Sequence, residues 1–471
     1  MSVSKGWKTV RLGDVAKCIT GGTPSKKDKA NYGTYLPLIK PTQLTDGLIT
    51  EVSEYLSEQG AAVARILPPN SVLVSCIGYL GKTGINSAPV AFNQQINAAI
   101  FDDEVEPKFG FYFMQSLSAR NQLEKLASAT TISIVNKSKF QSVNIPIPET
   151  IEEQRQIVAE IEKQFARLDA GVDGLKRVQA NLKRYRASVL KAACSGQLVP
   201  TEAALTRGQR SEDGSQQEFE AGEQLLERIL IERRKAHEEQ QKTAPRKKKY
   251  KEPAAPAPLS NVKLPEGWVW TGFEEISSGE RNAIKAGPFG SALKKSFYTP
   301  TGYKIYGQEQ VINGDPYFGD YFISEERYES LKSCAVQPGD ILISLVGTTG
   351  KVLILPPDCA SGIINPRLLK VSINHDGAVT KFIKIVLEAP QTKAFFKLAA
   401  HGGTMDVLNL TILKSLPIAL PTLAEQKRIV EEVERRLSVI EEMETAVEAN
   451  LKRANRLRQS ILKKAFEGKL V

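Results

Sequence analysis

Histidine is nearly missing from this chain, and cysteine is sparse. Its 471 residues include three histidines, His237, His375 and His401, and five cysteines, Cys18, Cys76, Cys194, Cys334 and Cys359. No CxxC pair occurs, and no histidine stands at ligand spacing from a Cys, Asp or Glu. These gaps argue against structural zinc and a disulfide framework, and for a reducing, cytoplasmic location. Long apolar runs are lacking too. The longest clean one lies near Ile341 to Val346, far too short to span a bilayer, and no apolar segment follows a basic start as in a signal peptide.

Catalytic signatures are equally thin. There is no Gly-x-Ser-x-Gly elbow and no dinucleotide or methyl-donor glycine loop after a first strand. The stretch Gly78 to Thr83 approaches a phosphate loop, but Cys76 stands where the first glycine belongs, and Val352 replaces the hydroxyl in the second copy. Glu106–Pro107–Lys108 has the Glu-x-Lys pattern of a nuclease site, yet nothing matches it in the second half. Pro68–Pro69–Asn70 and Pro356–Pro357–Asp358 have the wrong order for an adenine methyltransferase. No metal or cofactor is expected on this chain.

Positive charge is present in excess. Lys and Arg number 63 against 53 Asp and Glu, a net charge of +10, which favours an acidic partner. Hydrophobic content of 41% and charged content of 25% are those of a globular protein, and the length allows roughly two to four domains.

The chain is doubled. Gln154 to Val199 reappears without a gap as Gln426 to Val471. Ile157 falls on Ile429, Glu162 on Glu434, Arg184 on Arg456, Arg186 on Arg458, Lys191 on Lys463 and Gly196 on Gly468. Both copies carry apolar residues spaced by threes and fours, the mark of a coiled-coil seam. The first seam is Val158, Ile161, Phe165, Leu168, Val172, Leu175, Val178, Leu182, Tyr185 and Val189. The second is Val430, Val433, Leu437, Ile440, Val447, Ala454, Leu457 and Ile461, with Asn450 as a polar register residue in place of Val178. Neither helix can bury such a stripe alone, so each is expected to pair with the other.

Each helix follows a globular unit, and the units are diverged repeats. PPNSVLVSCIGYLGKTGIN matches QPGDILISLVGTTGKVLIL, setting Ser75 on Ser344, Gly81 on Gly350, Lys82 on Lys351 and Asn93 on Asn365. Leu36–Ile39, Ser71–Ile77 and Val90–Ile100 read as buried strands, Phe109–Leu126 as a helix, and Val143 to Ile147 as a last strand. The expected segments are a first unit at 1–149, a helix at 150–199, a charged helix (Glu220–Gln241) and linker within 200–262, a second unit at 263–419 and a helix at 420–471. The basic run 246–251 reads equally as a phosphate contact and as a solvated tether. The fold class is α+β, two mixed α/β units separated by two long helices that form an antiparallel coiled coil, with a pseudo-two-fold internal repeat.

What chemistry remains is recognition. Loops of the first unit carry Lys26, Lys27, Lys29, Tyr32, Lys40, Gln43, Tyr79, Lys82, Thr83, Asn93, Gln94, Asn136 and Lys137. Loops of the second carry Lys285, Ser291, Lys294, Lys295, Gln308, Gln310, Thr348, Thr349, Lys351, Asn365, Arg367, Thr404 and Asn409. Lys and Arg neutralise phosphates, while Asn, Gln and Arg can pair with base edges, so these are the candidate DNA-binding residues.

The paired segments PIPETIEEQRQIVAEIE and PTLAEQKRIVEEVE, the endings RYRASVLKAACSGQLV and RLRQSILKKAFEGKLV, the LLERILIERRK helix and the LPEGWVW restart resemble the specificity subunits of bacterial Type I restriction–modification enzymes. The resemblance spans essentially the whole chain. It implies that each unit is a target-recognition domain reading one half of an asymmetric bipartite site in double-stranded DNA. It implies a non-catalytic chain on which two modification (methyltransferase) subunits and restriction (translocase and nuclease) subunits assemble, those partners carrying S-adenosylmethionine, ATP and Mg. Arg184, Arg186, Lys191, Arg456, Arg458 and Lys463 are the expected docking residues. The alternatives are a stand-alone bipartite DNA-binding regulator, which needs no partner surface on the helices, and a one-chain nuclease or methyltransferase, against which the missing motifs count.

Overall fold

The computed structural model describes residues 6–128, 132–207, 219–243, 249–258, 262–346, 349–399 and 408–471. Thr348, His401, Thr404 and residues 246–248 of the basic run lie outside them. Contacts divide the chain into two units, residues 1–179 with 445–471, and residues 180–444. Each unit therefore holds one head, the start of the helix that follows it and the end of the other long helix.

In the first unit, Trp7–Arg11 pairs antiparallel with Asn144–Pro148, from Trp7↔Pro148 to Arg11↔Asn144, and so clips the two ends of the head together. A five-stranded sheet runs in the order Ala16–Thr20, Ile96–Phe101, Val72–Ser75, Thr83–Ile85, Gly47–Leu48. A four-stranded sheet runs Tyr55–Leu56, Tyr32–Ile39, Val90–Phe92, Ile66–Leu67, and its central pair is parallel. The strand expected at Val90–Ile100 is thus two strands in two sheets. The intervening turn lets one stretch of chain cross between sheets, because Asn93 Oδ1 accepts from the Gln95 N–H at 3.1 Å. The helix expected at Phe109–Leu126 is also two, Pro107–Gln115 and Leu117–Leu126. Ser116 is extended between them, and its Oγ accepts from Ala119 N as the N-cap of the second.

The second unit repeats the plan. Val269–Thr271 pairs with Ile418–Leu420. One sheet runs Ile284–Ala286, Leu368–Val371, Ile341–Ser344, Val352–Ile354, and another runs Phe322–Ile323, Tyr303–Tyr306, Gly362–Ile364, with the last two parallel. The helix Gly222–Thr243 inserts Leu225 and Ile229 into the core. Ile229 lies against Gly377, where a Cβ would meet it at 2.2 Å.

The long helices are Ile151–Ala193 and Leu423–Phe466, 43 and 44 residues, or about 65 Å each at 1.5 Å per residue. Equivalent side chains fasten each to its own head. Trp7 Nε1 donates to Glu153 Oε1 at 3.0 Å, and Trp268 Nε1 donates to Glu425 Oε1 at 2.9 Å. Buried Gln154 and Gln426 accept from Glu106 N and Val379 N at 2.9 and 2.7 Å. Both helices end at a glycine in the left-handed region, Gly196 (φ 66°) and Gly468 (φ 67°). There Gln197 N–H bonds the Ala192 carbonyl and Lys469 N–H the Lys464 carbonyl, a closure in which a Cβ would be strained.

Within each unit the helices run antiparallel. In the first, Val158, Ile161 and Phe165 share a core with Ile461, Leu462 and Ala465, and Arg458 reaches Asp169. In the second, Val189, Leu190 and Ala193 share a core with Ile429, Val430 and Val433, and Arg186 reaches Glu441 and Glu444. Leu182, Ile440, Val447 and Ala454 are buried as well, while Leu168, Val172, Leu175 and Leu437 are half-buried.

The phase of the seam differs from expectation. Leu457 is 50% exposed, Tyr185 46% and Val178 38%. From Leu182 to Val189, and from Ala454 to Ile461, the contact steps by four then three, through Arg186 and Arg458, not by three then four. A residue one place off a two-stranded seam turns about 100° away, towards solvent. Asn450 is likewise exposed, its Nδ2 donating to its own helix at Ala446 O, so it specifies no register.

Candidate nucleic-acid interface

A parallel strand pair ends with both carbonyl edges on the same side, so the loops leaving those ends converge. This is where ligands of α/β sheets bind. Both heads build this corner from the same bonds. In the first head, Gly21 N donates to Ile96 O, Asn93 N to Ile39 O, Ile96 N to Asn93 O and Cys76 N to Gln95 O, at 3.0, 2.9, 3.2 and 2.8 Å. In the second, Gly287 N donates to Leu368 O, Asn365 N to Tyr306 O, Leu368 N to Asn365 O and Leu345 N to Arg367 O, at 3.0, 2.9, 3.2 and 3.0 Å. Asn93 Oδ1 and Asn365 Oδ1 each cap the residue two places on, at 3.1 and 2.9 Å. Gln43 Oε1 accepts from Lys40 N and Gln310 Oε1 from Gly307 N, at 2.7 and 2.9 Å. A Cβ on Gly21 would lie 2.0 Å from Asn93 O, and one on Gly287 would lie 1.8 Å from Asn365 O. Only glycine lets the backbones meet there. Nothing in the sequence around Gly21 shows this role, because the atoms it must clear belong to a distant strand.

The adjoining hairpin is also common to both. Ser75 Oγ accepts from Lys82 N at 2.9 Å and Ser344 Oγ from Lys351 N at 3.0 Å. Gly81 and Gly350 both take positive φ, 78° and 76°. The near-phosphate loop is therefore a β-hairpin turn held by a serine.

On this frame the candidate residues sort themselves. In the first head a groove is lined by Thr23, Pro24, Ser25, Lys26, Lys40, Asn93 and Gln94. Gln94 is exposed and its Oε1 accepts from Thr23 Oγ1 at 2.8 Å. Glu54 holds Lys40 at 2.6 Å and Lys26 at 3.9 Å. Tyr32 donates to Pro24 O at 2.8 Å, and burial raises its phenol above the usual range. Lys27, Lys29, Lys82 and Lys137 are exposed, and Tyr79 is 84% exposed with Lys82 Nζ 5.7 Å from its ring centre. In the second head, Ser291, Lys294, Lys295, Lys351 and Arg367 are exposed, while Lys285, Thr349 and Asn365 are half-buried. Lys285 sits in a strand opposite Lys370.

Several candidates turn out to serve the fold itself. Thr83 is fully buried and donates to Asp46 Oδ1 at 2.9 Å. Gln310 is 1% exposed, and its Nε2 donates to Phe318 O while Gln43 Nε2 donates to Ser53 Oγ, both at 2.8 Å. Gln308 donates to Val346 O, and Asn93 is 8% exposed. Asn136 and Asn409 are exposed, but their Oδ1 atoms cap the short helices Lys137–Gln141 and Leu410–Lys414. These side chains are polar because buried polar groups and helix ends need partners.

Two docking candidates move in the same way. Arg186 pairs with Glu441 at 3.3 Å and Glu444 at 3.6 Å, and Arg458 pairs with Asp169 while lying 4.1 Å from the Phe165 ring centre. Since Asp169 is the repeat mate of Glu441, the two pairs are equivalent cross-ties between the helices. Arg184, Lys191, Arg456 and Lys463 remain exposed, beside the outward Tyr185 and Leu457.

Among the described residues no group of three or more His, Cys, Asp or Glu could hold a metal ion, and no helix is long and apolar enough to cross a membrane. Burial pushes the thiols of Cys18 and Cys76 up to about 12.

Comparison with known proteins agrees with the doubled plan. The family model for the Type I restriction modification DNA specificity domain matches residues 4–171 and again 288–453. The chain is 23% identical over 473 residues to the EcoBI Type I restriction enzyme specificity subunit of Escherichia coli, covering 100% of this chain and 87% of that one. It is 36% identical over 150 residues to the HindI specificity subunit of Haemophilus influenzae, 31% of this chain and 33% of that one. A solved structure from work on complex assembly and conformational transition of the type I R-M system shares the fold, with a TM-score of 0.66 and 19% identity over 100% of both chains. With its model matched over most of the sequence, once in each repeat, the chain belongs to the family of Type I restriction modification DNA specificity proteins.

Proposed function

We propose that this chain selects the DNA site of a Type I restriction–modification complex, each head reading one half of an asymmetric bipartite sequence. The observation that carries this is the duplicated corner. One backbone frame, bond for bond, presents Lys40, Gln94 and Gln95 in the first head and Gly307, Pro366 and Arg367 in the second. A frame kept alike under different side chains is the arrangement of two readers with different targets. Exposed lysines around each corner supply salt-dependent phosphate affinity, and the forked side chains supply discrimination.

The paired helices then act as a ruler between half-sites and as a platform for partners. Two modification subunits, carrying S-adenosylmethionine and performing adenine methylation and base flipping, dock on their outward faces. Tyr185 and Leu457, repeat mates that stay exposed despite being apolar, mark those faces with Arg184, Lys191, Arg456 and Lys463. Restriction subunits using ATP and Mg join that assembly.

Exchanging residues 1–149 for the corresponding head of another family member, then mapping methylated adenines in host DNA, should change one half-site only. A change in both half-sites sinks the modular reading. Inserting one helical turn near Ala180 should alter the gap and leave both half-sites intact; an unchanged gap removes the ruler role.

A further inference from the structure

We propose, resting on the half-site reading above, that Arg367 reads a guanine in the half-site of the second head. Its main chain has no freedom. Arg367 N–H is held by Asn365 Oδ1 at 2.9 Å and its carbonyl accepts from Leu345 N at 3.0 Å. Only the side chain can vary in what it meets, and it is exposed at the carboxyl ends of the parallel strands. Among the described residues nothing accepts from its guanidinium or stacks on it. Three other head arginines are spent on the fold: Arg65 donates to Thr20 O, Arg120 pairs with Asp46 at 2.9 Å, and Arg327 lies 3.9 Å from the Phe297 ring centre, whereas Arg11 and Arg281 are exposed as Arg367 is.

An exposed, unpaired guanidinium on a rigid turn offers a planar fork of donors. Guanine presents two acceptors, O6 and N7, on its major-groove edge, and the fork matches both at once. The equivalent position in the first head has different chemistry. Gln95 is half-buried, with its amide tied to Asn93 Nδ2 at 3.1 Å, and the exposed side chain of that turn is Gln94. Pro366 replaces Gln94 in the second head, so the two turns expose an amide and a guanidinium from adjacent positions on one frame. Arginine at this place is therefore a source of difference between the two half-sites.

The test uses the full chain with its co-purified methyltransferase partners and a randomised duplex library, sequencing the bound fraction. Wild type should enrich guanine at one position of the second half-site. Arg367→Ala should relax that position by about ten- to a hundredfold, with the first half-site unchanged in the same molecules, which also reports that the protein is folded. Arg367→Lys, which keeps the charge but not the fork, should relax it as well. The proposal is overturned if Arg367→Ala weakens binding uniformly without changing any base preference, as a phosphate contact would, or if the relaxed position is not guanine. Failure of wild type to enrich any bipartite site would instead sink the half-site reading itself.

Discussion

Gly21 and Gly22 are neighbours, and neither has the positive φ that only glycine tolerates. Substituting each by alanine should nevertheless give opposite results. A Cβ at Gly21 would stand 2.0 Å from Asn93 O, 2.5 Å from Phe92 O and 2.6 Å from Asn93 C, all backbone atoms. A relaxed contact is roughly 3.5 Å, so the two strands' ends must part by about 1.5 Å. Forcing a methyl into a packed site costs about 1–3 kcal/mol. Opening the corner also weakens the bond from Gly21 N to Ile96 O, adding about 0.5–1.5 kcal/mol. Gly21→Ala should therefore lose about 2–4 kcal/mol from the first unit. A Cβ at Gly22 meets nothing within 4 Å. Gly22→Ala should be neutral, or stabilising by about 0.4–1 kcal/mol through the unfolded chain. Hydrogen exchange of residues 90–101, followed by mass spectrometry, reads the corner directly. Equal protection in the two variants, or wild-type protection in Gly21→Ala, would refute the close-approach reasoning.

Three further outcomes follow from the same geometry. Arg458→Ala should destabilise the first unit by about 1–2 kcal/mol, because it loses the Phe165 ring as well as a solvent-screened ion pair; Arg186→Ala should cost under about 1 kcal/mol, because the repeat mate of Phe165 is Leu437, which has no ring, and equal costs in urea unfolding would count against the ring contact. The Lys370–Asp340 pair is 8% and 2% exposed, with Ser372 Oγ and Gln337 N also donating to the carboxylate. Asp340→Ala strands a buried ammonium and should cost about 3–5 kcal/mol, more than Lys370→Met, which leaves the carboxylate its other donors; the reverse order in unfolding experiments would be inconsistent with this. Burial holds the Glu275 carboxyl above the usual carboxylate range, against the bonds from Thr271 and Gly272. A raised folded pKa means its contribution is complete below the unfolded value near 4.5 and lost as pH rises through the folded value. Glu275→Gln keeps an acceptor for both donors and should flatten that decline in the second unit; an unchanged pH profile would exclude Glu275 as its source.

The duplication has a limit that bears on partner binding. Cross-ties, tryptophan clips and helix-ending glycines are all present twice, whereas the helix Gly222–Thr243 belongs to the second unit's core alone. Partners that recognise the repeated helix faces would find similar chemistry at Tyr185 and Leu457, but different surroundings at the two heads.

Two long helices, two diverged heads and a lack of catalytic motifs were legible in the sequence. Helical periodicity and gap-free repetition are local signals that survive without knowing the fold. The phase of the seam was not legible, because Tyr185 and Leu457 satisfy the apolar pattern as well as any buried residue; only the partner helix decides that Arg186 and Arg458 lie across it. Polar and basic loop residues were legible as a class of candidates, but not which of them the fold itself uses. Thr83, Gln310, Asn136 and Asn409 look like DNA contacts on composition, but the folded chain uses them for its own internal bonds. Gly21 and Gly22 are indistinguishable as letters, and a strand arriving from seventy residues away makes one irreplaceable. Sequence determined what each segment wants to bury. Tertiary structure decided which polar groups the fold consumes and which, like Arg367, it leaves free to meet another molecule.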